Sequence, residues 1–127
     1  MTTELPPGDE LLALLTTDMT GLTRGRWIAA SAPDKTILKG CGWVPANIAL
    51  TPFDIIAENP WGSSGDLRLK PDLATRFRVA TLPEVTALNG VLCDITELDG
   101  TPWQGCGRSF LKAALADLEG ETGLTVT

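Results

Sequence analysis

Residues 14–31, LLTTDMTGLTRGRWIAAS, decide how the chain begins to fold. Two apolar-rich runs flank Thr20-Gly21-Leu22-Thr23, and Gly21 can take the backbone angles of a tight reversal that other residues resist. The stretch reads as a β-hairpin. A chain that opens on a hairpin builds a sheet to which later strands can add on either side. Upstream, Pro6-Pro7-Gly8 punctuates a tail over residues 1–8, and Asp9 is placed to cap a short helix over ELLALL (10–15). At about two turns, that helix would depend on packing to persist.

Downstream of the hairpin, APDKTILKG (32–40) reads as a short helix or turn, with Pro33 at its start and Gly40 past its end. From Gly42 to Gly65 the chain carries Pro45, Pro52 and Pro60 and no sustained period, so it reads as a mostly irregular excursion. Long structureless loops are uncommon in compact domains and are usually functional where they occur. Regular alternation returns in DLRLKP (66–71), a half-buried strand ended by Pro71, and in RFRVA (76–80). VTALNGVLCDIT (85–96) is rich enough in Val, Leu and Ile for a more central strand, and Glu97-Leu98-Asp99-Gly100 makes a turn. In RSFLKAALADLEG (108–120), Phe110, Leu111, Ala114, Leu115 and Leu118 form one helical stripe, with Ser109 as N-cap and Gly120 as stop. These elements predict an α+β domain over residues 9–127: a sheet of four to five strands covered by one amphipathic helix, with the short N-terminal helix in front.

Composition narrows the function. The 127 residues are 43% apolar and carry a net charge of −6, which fits one folded domain and argues against nucleic acid or an anionic membrane as the main partner. Arg68, Lys70, Arg76 and Arg78 are a local exception, but they alternate with Leu67, Leu69, Phe77 and Val79, which favours solvated strand faces over an anion-binding strip. The absence of histidine excludes Ser-His and Cys-His hydrolysis. Cys41, Cys93 and Cys106 have no CxxC spacing, so no metal site is expected. The N-terminus has neither the basic nor the apolar segment of a signal peptide, and no apolar run is long enough to span a membrane. The expected location is cytoplasmic, with reduced thiols.

Most carboxylates lie beside turns, as Asp18, Asp66 and Asp99 do, where capping is the favoured reading. Asp54 differs. It lies inside the excursion, beside Phe53 and ahead of Trp61, in FDIIAENPWGSSGDLRLKPD (53–72). An acid in such company could orient an amine or accept its proton, or it could simply bond its own loop backbone; the residues leave both readings open. Four tryptophans without a tyrosine are a large aromatic load, and one placed in a loop often marks an interface.

Several motifs, in order, resemble the N-terminal β-grasp domain of the glutamine synthetase family, ATP-dependent glutamate–amine ligases. TTDMTGLTRGR (16–26) is similar to the family's D-x-x-G-x-x-R-G-K hairpin, with Arg26 where Lys is common. GDLRLKPD (65–72) resembles the segment ending in Pro-Asp, and GVLCDITELDGTPW (90–103) the strand and turn carrying Cys-Asp and Asp-Gly. CGRSFLKAAL (106–115) resembles the P-R-x-x-L-K helix start, with Gly107 in place of proline.

The resemblance implies a β-grasp-like fold and a role for the excursion, as a loop that crosses a subunit boundary and completes the neighbour's active site. It assigns Asp54 to binding and deprotonating the amine, as a catalytic and substrate-binding residue, and Trp61, seven residues later, to substrate binding beside the nucleotide-side opening. Ammonia-using members follow that Asp with Gly-Ser-Ser, whereas Ile55-Ile56-Ala57 follow it here. That departure suits a larger, more apolar amine, as in the γ-glutamylamine (polyamine) branch, which KGCGWVPANIAL (39–50) also resembles. ATP and Mg²⁺ or Mn²⁺ are implied for a full-length enzyme but not for this chain, because the family holds them in a C-terminal catalytic domain that opens beyond TGLTVT (122–127). The implied partners are that domain and the neighbouring subunits of a homo-oligomeric ring, with the isolated domain inactive. The alternative is a stand-alone β-grasp module acting through protein contact at a sheet edge or loop.

Overall fold

The computed structural model describes residues 10–80 and 87–126. Six strands are laid down as β1 (Leu11–Thr17), β2 (Thr23–Ala29), β3 (Cys41–Trp43), β4 (Leu67–Pro71), β5 (Phe77–Val79) and β6 (Leu88–Thr96). A single-turn helix, α1 (Asp34–Ile37), follows the hairpin, and a long helix, α2 (Gly107–Thr122), follows the sheet. The strand order is β2-β1-β6-β4-β3, with β5 also pairing with β6. The β1–β6 pairing is parallel and the others are antiparallel. This is the α+β, β-grasp-like architecture expected from the sequence.

The hairpin forms as read, with Leu11 opposite Ala29 and Thr17 opposite Thr23. The helix expected over 10–15 does not. Leu11–Thr17 is a strand instead, because it lies between β2 and β6 and buries Leu12, Ala13 and Leu14. A short continuous apolar run has no period that separates a buried strand from a buried helix, and pairing on both sides settles it in favour of the strand. The tail 1–8 and the proposed cap Asp9 lie outside the described residues, as do Val85 and Thr86 at the start of the expected central strand.

β6 is central as expected: its first half pairs with β1 and β5, its second half with β4. Val91, Cys93 and Ile95 join Leu12, Leu14, Leu67 and Leu69 on one buried face of the sheet. Ile37 from α1 and Trp43, Ile48 and Trp103 from outside the central strands pack with them. The first part of the excursion is therefore core. It contains β3 and a 3-10 helix, Pro45–Asn47, with Pro45 and Ala46 buried.

Helix α2 starts one turn earlier and ends later than the sequence suggested. Its N-cap is Cys106, whose Sγ accepts from the Ser109 amide at 3.4 Å, rather than Ser109 itself. Gly120 stays helical, a cost of about 1 kcal/mol that an exposed helix tolerates. The stop is Gly123, at φ 70°, where a left-handed residue is needed and only glycine takes it freely. The apolar stripe is present, but none of the helix is buried, and Phe110 and Leu111 are 76% and 56% exposed. At its start α2 is held by the buried N-cap, since Cys106 Sγ also accepts from the Ile95 amide at 3.1 Å, and beyond that by charge. Arg108 bonds Asp72 at 2.7 Å and Asp94 at 2.6 Å, and Lys112 reaches Asp94 at 2.7 Å.

Candidate functional site

Thr51–Ile55 forms a small hairpin within the excursion. The Asp54 amide donates to the Thr51 carbonyl at 3.2 Å, and the Thr51 amide donates to the Ile55 carbonyl at 2.8 Å. The Thr51 hydroxyl accepts from the amides of Phe53 and Ile55, both at 3.3 Å. Leu50 and Ile56 bridge at its base, and the Ala57 amide donates to Ala49 at 2.9 Å.

Asp54 occupies the position in such a loop that calls for a left-handed residue, usually glycine, and it adopts φ 59°. It is the only non-glycine residue with positive φ among those described. Its side chain makes no hydrogen bond or ion pair among the described residues, so it does not cap its own loop backbone, as one reading of the sequence allowed. The neighbouring side chains are also out in solvent: Phe53 is 82% exposed and Ile55 64%. A strained residue with a free carboxylate at a loop tip, flanked by exposed apolar groups, is the kind of feature that persists where function requires it.

Trp61 sits at the other end of the loop and is half-buried. Its ring packs against Trp103, with centroids 4.9 Å apart and planes tilted by 57°. Asn59 fixes its approach, accepting from the Trp61 amide at 3.0 Å and donating to the Ala57 carbonyl at 2.9 Å. Among the described residues, no hydrogen bond, ion pair or ring contact joins Asp54 to Trp61. Between Trp61 and the turn of the β1–β2 hairpin lies an apolar hollow of about 270 Å³, walled by Met19, Ile48, Ala49, Ala57, Pro60 and Trp61.

The base of the loop is gripped by the hairpin. Asp18 is buried, and its Oδ1 accepts from the Thr20 amide and hydroxyl and from the Leu22 amide, at 2.7 to 2.9 Å. Its Oδ2 pairs with Arg24 Nε. Burial by itself would raise the Asp18 carboxyl; the bonds from Thr20, Arg24 and Leu22 outweigh it and hold the carboxyl below its ordinary value. Arg24 then donates from Nη2 to the Leu50 carbonyl at 3.2 Å, and the Met19 amide reaches Ile48 at 3.4 Å. Arg26 lies over the Trp43 ring, 5.9 Å from its centroid. The capping read for Asp18 and Asp99 holds, the latter accepting from the Thr101 amide and hydroxyl at 2.9 and 2.7 Å. The reach from Arg24 to Leu50 was not readable, because a backbone carbonyl acceptor leaves no trace in a sequence.

The motifs singled out in the sequence come together in space. Asp72 ends one, Asp94 lies in another, and Arg108 and Lys112 open the third; these four side chains form the ion cluster under α2. Arg108 foremost holds the Asp72 carboxyl below its usual range. Among the described residues, no three carboxylate or thiol side chains converge to hold a metal ion, and no helix is long and apolar enough to cross a membrane.

The sequence profile described as the glutamine synthetase N-terminal domain matches residues 4–103. The chain belongs to the glutamine synthetase N-terminal domain family. The crystal structure of a novel glutamine synthase homolog superposes with a TM-score of 0.82 at 43% identity, over 95% of this chain and 29% of that one. The glutamine synthetase of Methanocaldococcus jannaschii is 41% identical over 56 residues, 44% of this chain and 12% of its own. That of Methanococcus maripaludis is 37% identical over 60 residues, 47% of this chain and 14% of its own. The chain thus spans less than a third of the length of these relatives.

Proposed function

We propose that this chain is the amine-handling domain of a glutamine synthetase-like ligase, inactive alone, which lends its Asp54 loop to the active site of a neighbouring subunit in a ring. The observation that carries this reading is the free Asp54 carboxylate, held in a left-handed conformation at the tip of a loop anchored to the domain core. In the full-length enzyme, ATP with Mg²⁺ or Mn²⁺ would activate the side chain of glutamate as a γ-glutamyl phosphate. In this reading the metal belongs with ATP and glutamate in the catalytic domain, and this chain's part is played toward the amine.

Asp54 orients the incoming ammonium group and takes one of its protons, which frees the nitrogen lone pair. The nitrogen bonds to the γ-carbonyl carbon, the carbon–oxygen bond to phosphate breaks, and phosphate leaves with that electron pair and takes up the second proton that the nitrogen must lose to become an amide. A positioned carboxylate acting this way contributes about 10²- to 10⁴-fold. Phe53, Ile55 and Ile56 present hydrocarbon around Asp54 rather than hydroxyls, which supports an amine with an apolar substituent over ammonia. Trp61 forms a wall of the hollow at the base of the same loop.

The test is Asp54→Asn in the full-length protein. The expected result is a fall of about a hundredfold or more in kcat/KM for the amine, with KM for glutamate unchanged. An unchanged rate at both limiting and saturating amine would overturn the proposal.

A further inference from the structure

We infer that Arg24 is a positioning residue for the Asp54 loop: its guanidinium, held by buried Asp18, fixes the Leu50 carbonyl and thereby the place from which Asp54 is presented. The relevance of this to catalysis rests on the reading of Asp54 given above; the mechanical claim does not.

The geometry favours arginine specifically. The Arg24 fork spends Nε on Asp18 and Nη2 on Leu50, so a single planar group spans the hairpin turn and the loop. A lysine ammonium could satisfy the Asp18 charge but has no second, rigidly oriented arm. Asp18 is itself immobilised by three further donors from its own turn, so the anchor has little freedom. Leu50 is the residue at which the Thr51–Ile55 hairpin closes, through its bridge to Ile56. Holding its carbonyl therefore holds one leg of the hairpin just before the strained residue. The other bond from the hairpin, Met19 to Ile48, is longer at 3.4 Å, and the bonds that the loop makes to itself, such as Thr51 to Ile55 at 2.8 Å, shape it without joining it to the hairpin. Gly25 supports the arrangement, because it passes so close to the Leu14 carbonyl that a Cβ there would collide with it.

The experiment is amide hydrogen exchange by NMR on this chain and its Arg24→Lys variant, followed by kinetics of the same change in the full-length protein. The amides of Thr51, Asp54 and Ala57 report the loop, and those of the β1–β6 ladder report the fold. In Arg24→Lys the loop amides are expected to lose about tenfold in protection while the ladder stays within about twofold, as local opening without global loss requires. Loop protection unchanged, or lost in equal proportion with the ladder, overturns the inference. Should Arg24→Lys fail to fold, Arg24→Gln, which keeps a donor for Asp18 but is too short to reach Leu50 as well, is expected to loosen the same amides selectively; equal loss everywhere overturns the inference again. In the kinetic arm, KM for the amine is expected to rise about tenfold with KM for glutamate unchanged. Selective loosening of the loop with no change in amine kinetics leaves Arg24 as its anchor and refutes the role of Asp54 instead.

Discussion

Arg24 Nη2 donates to the Leu50 carbonyl at 3.2 Å, across 26 positions of sequence. Through that bond the first hairpin of the chain reaches the root of the loop that carries Asp54. Fold and site are joined there, so changes in the hairpin should be felt at the loop tip.

Asp18→Asn should destabilise the domain by about 2 kcal/mol at neutral pH, because it sets an amide N–H against Arg24 in a buried place. The folded carboxyl lies below its ordinary value, so its contribution is fully present above about pH 4 and is lost as pH falls through the lowered folded value. The gap in stability between wild type and Asp18→Asn should therefore be constant from pH 7 to about 5 and close under acid. Urea melts across that range check it; a gap that widens on acidification would contradict the sign.

Arg108→Met should cost about 1–2 kcal/mol and detach the body of α2 before the sheet melts, since beyond its buried N-cap Cys106 the helix buries no side chain and is held by Arg108 and Lys112. Far-UV circular dichroism would show helix loss preceding the fluorescence change of buried Trp43 and Trp103. A single coincident transition in the variant would show that α2 has other anchors.

Asp54→Gly relieves a left-handed residue and should leave thermal stability unchanged or raised by up to about 1 kcal/mol, whereas Asp54→Ala should lower it. Both should abolish the amine-dependent step in the full-length protein. A stability rise accompanied by lost activity is what strain kept for function produces. Equal melting temperatures for the Gly and Ala variants would argue that the conformation is not strained.

Cys93 and Cys106 are buried, and burial foremost pushes the Cys93 thiol up to about 12. Half-buried Cys41 is raised by its burial too. Alkylation at pH 8 should reach Cys41 slowly and the other two only on unfolding, as mass spectrometry of the labelled chain would show. Rapid native labelling of Cys93 would contradict this packing.

The sequence yielded most of the fold for reasons that can be named. The Gly21 reversal, the alternation of Leu67 to Pro71 and the α2 stripe each encode one element within a few residues. The run over residues 10–15 reads as a helix because an apolar segment paired on both sides has no alternation to show. Asp54 and Trp61 drew notice through their place in a proline-rich excursion and through family resemblance. The tether from Arg24 to Leu50 and the convergence of Asp72, Asp94, Arg108 and Lys112 depend on three-dimensional register, which no local pattern carries.

The most direct measurement compares nucleophiles in the full-length enzyme with Asp54→Asn. An alkylamine arrives protonated and must lose a proton before it attacks, whereas hydroxylamine is largely neutral at pH 7. If Asp54 receives that proton, the variant should lose about a hundredfold with the alkylamine and far less with hydroxylamine. Equal losses with both, or none with either, would contradict the role given to Asp54.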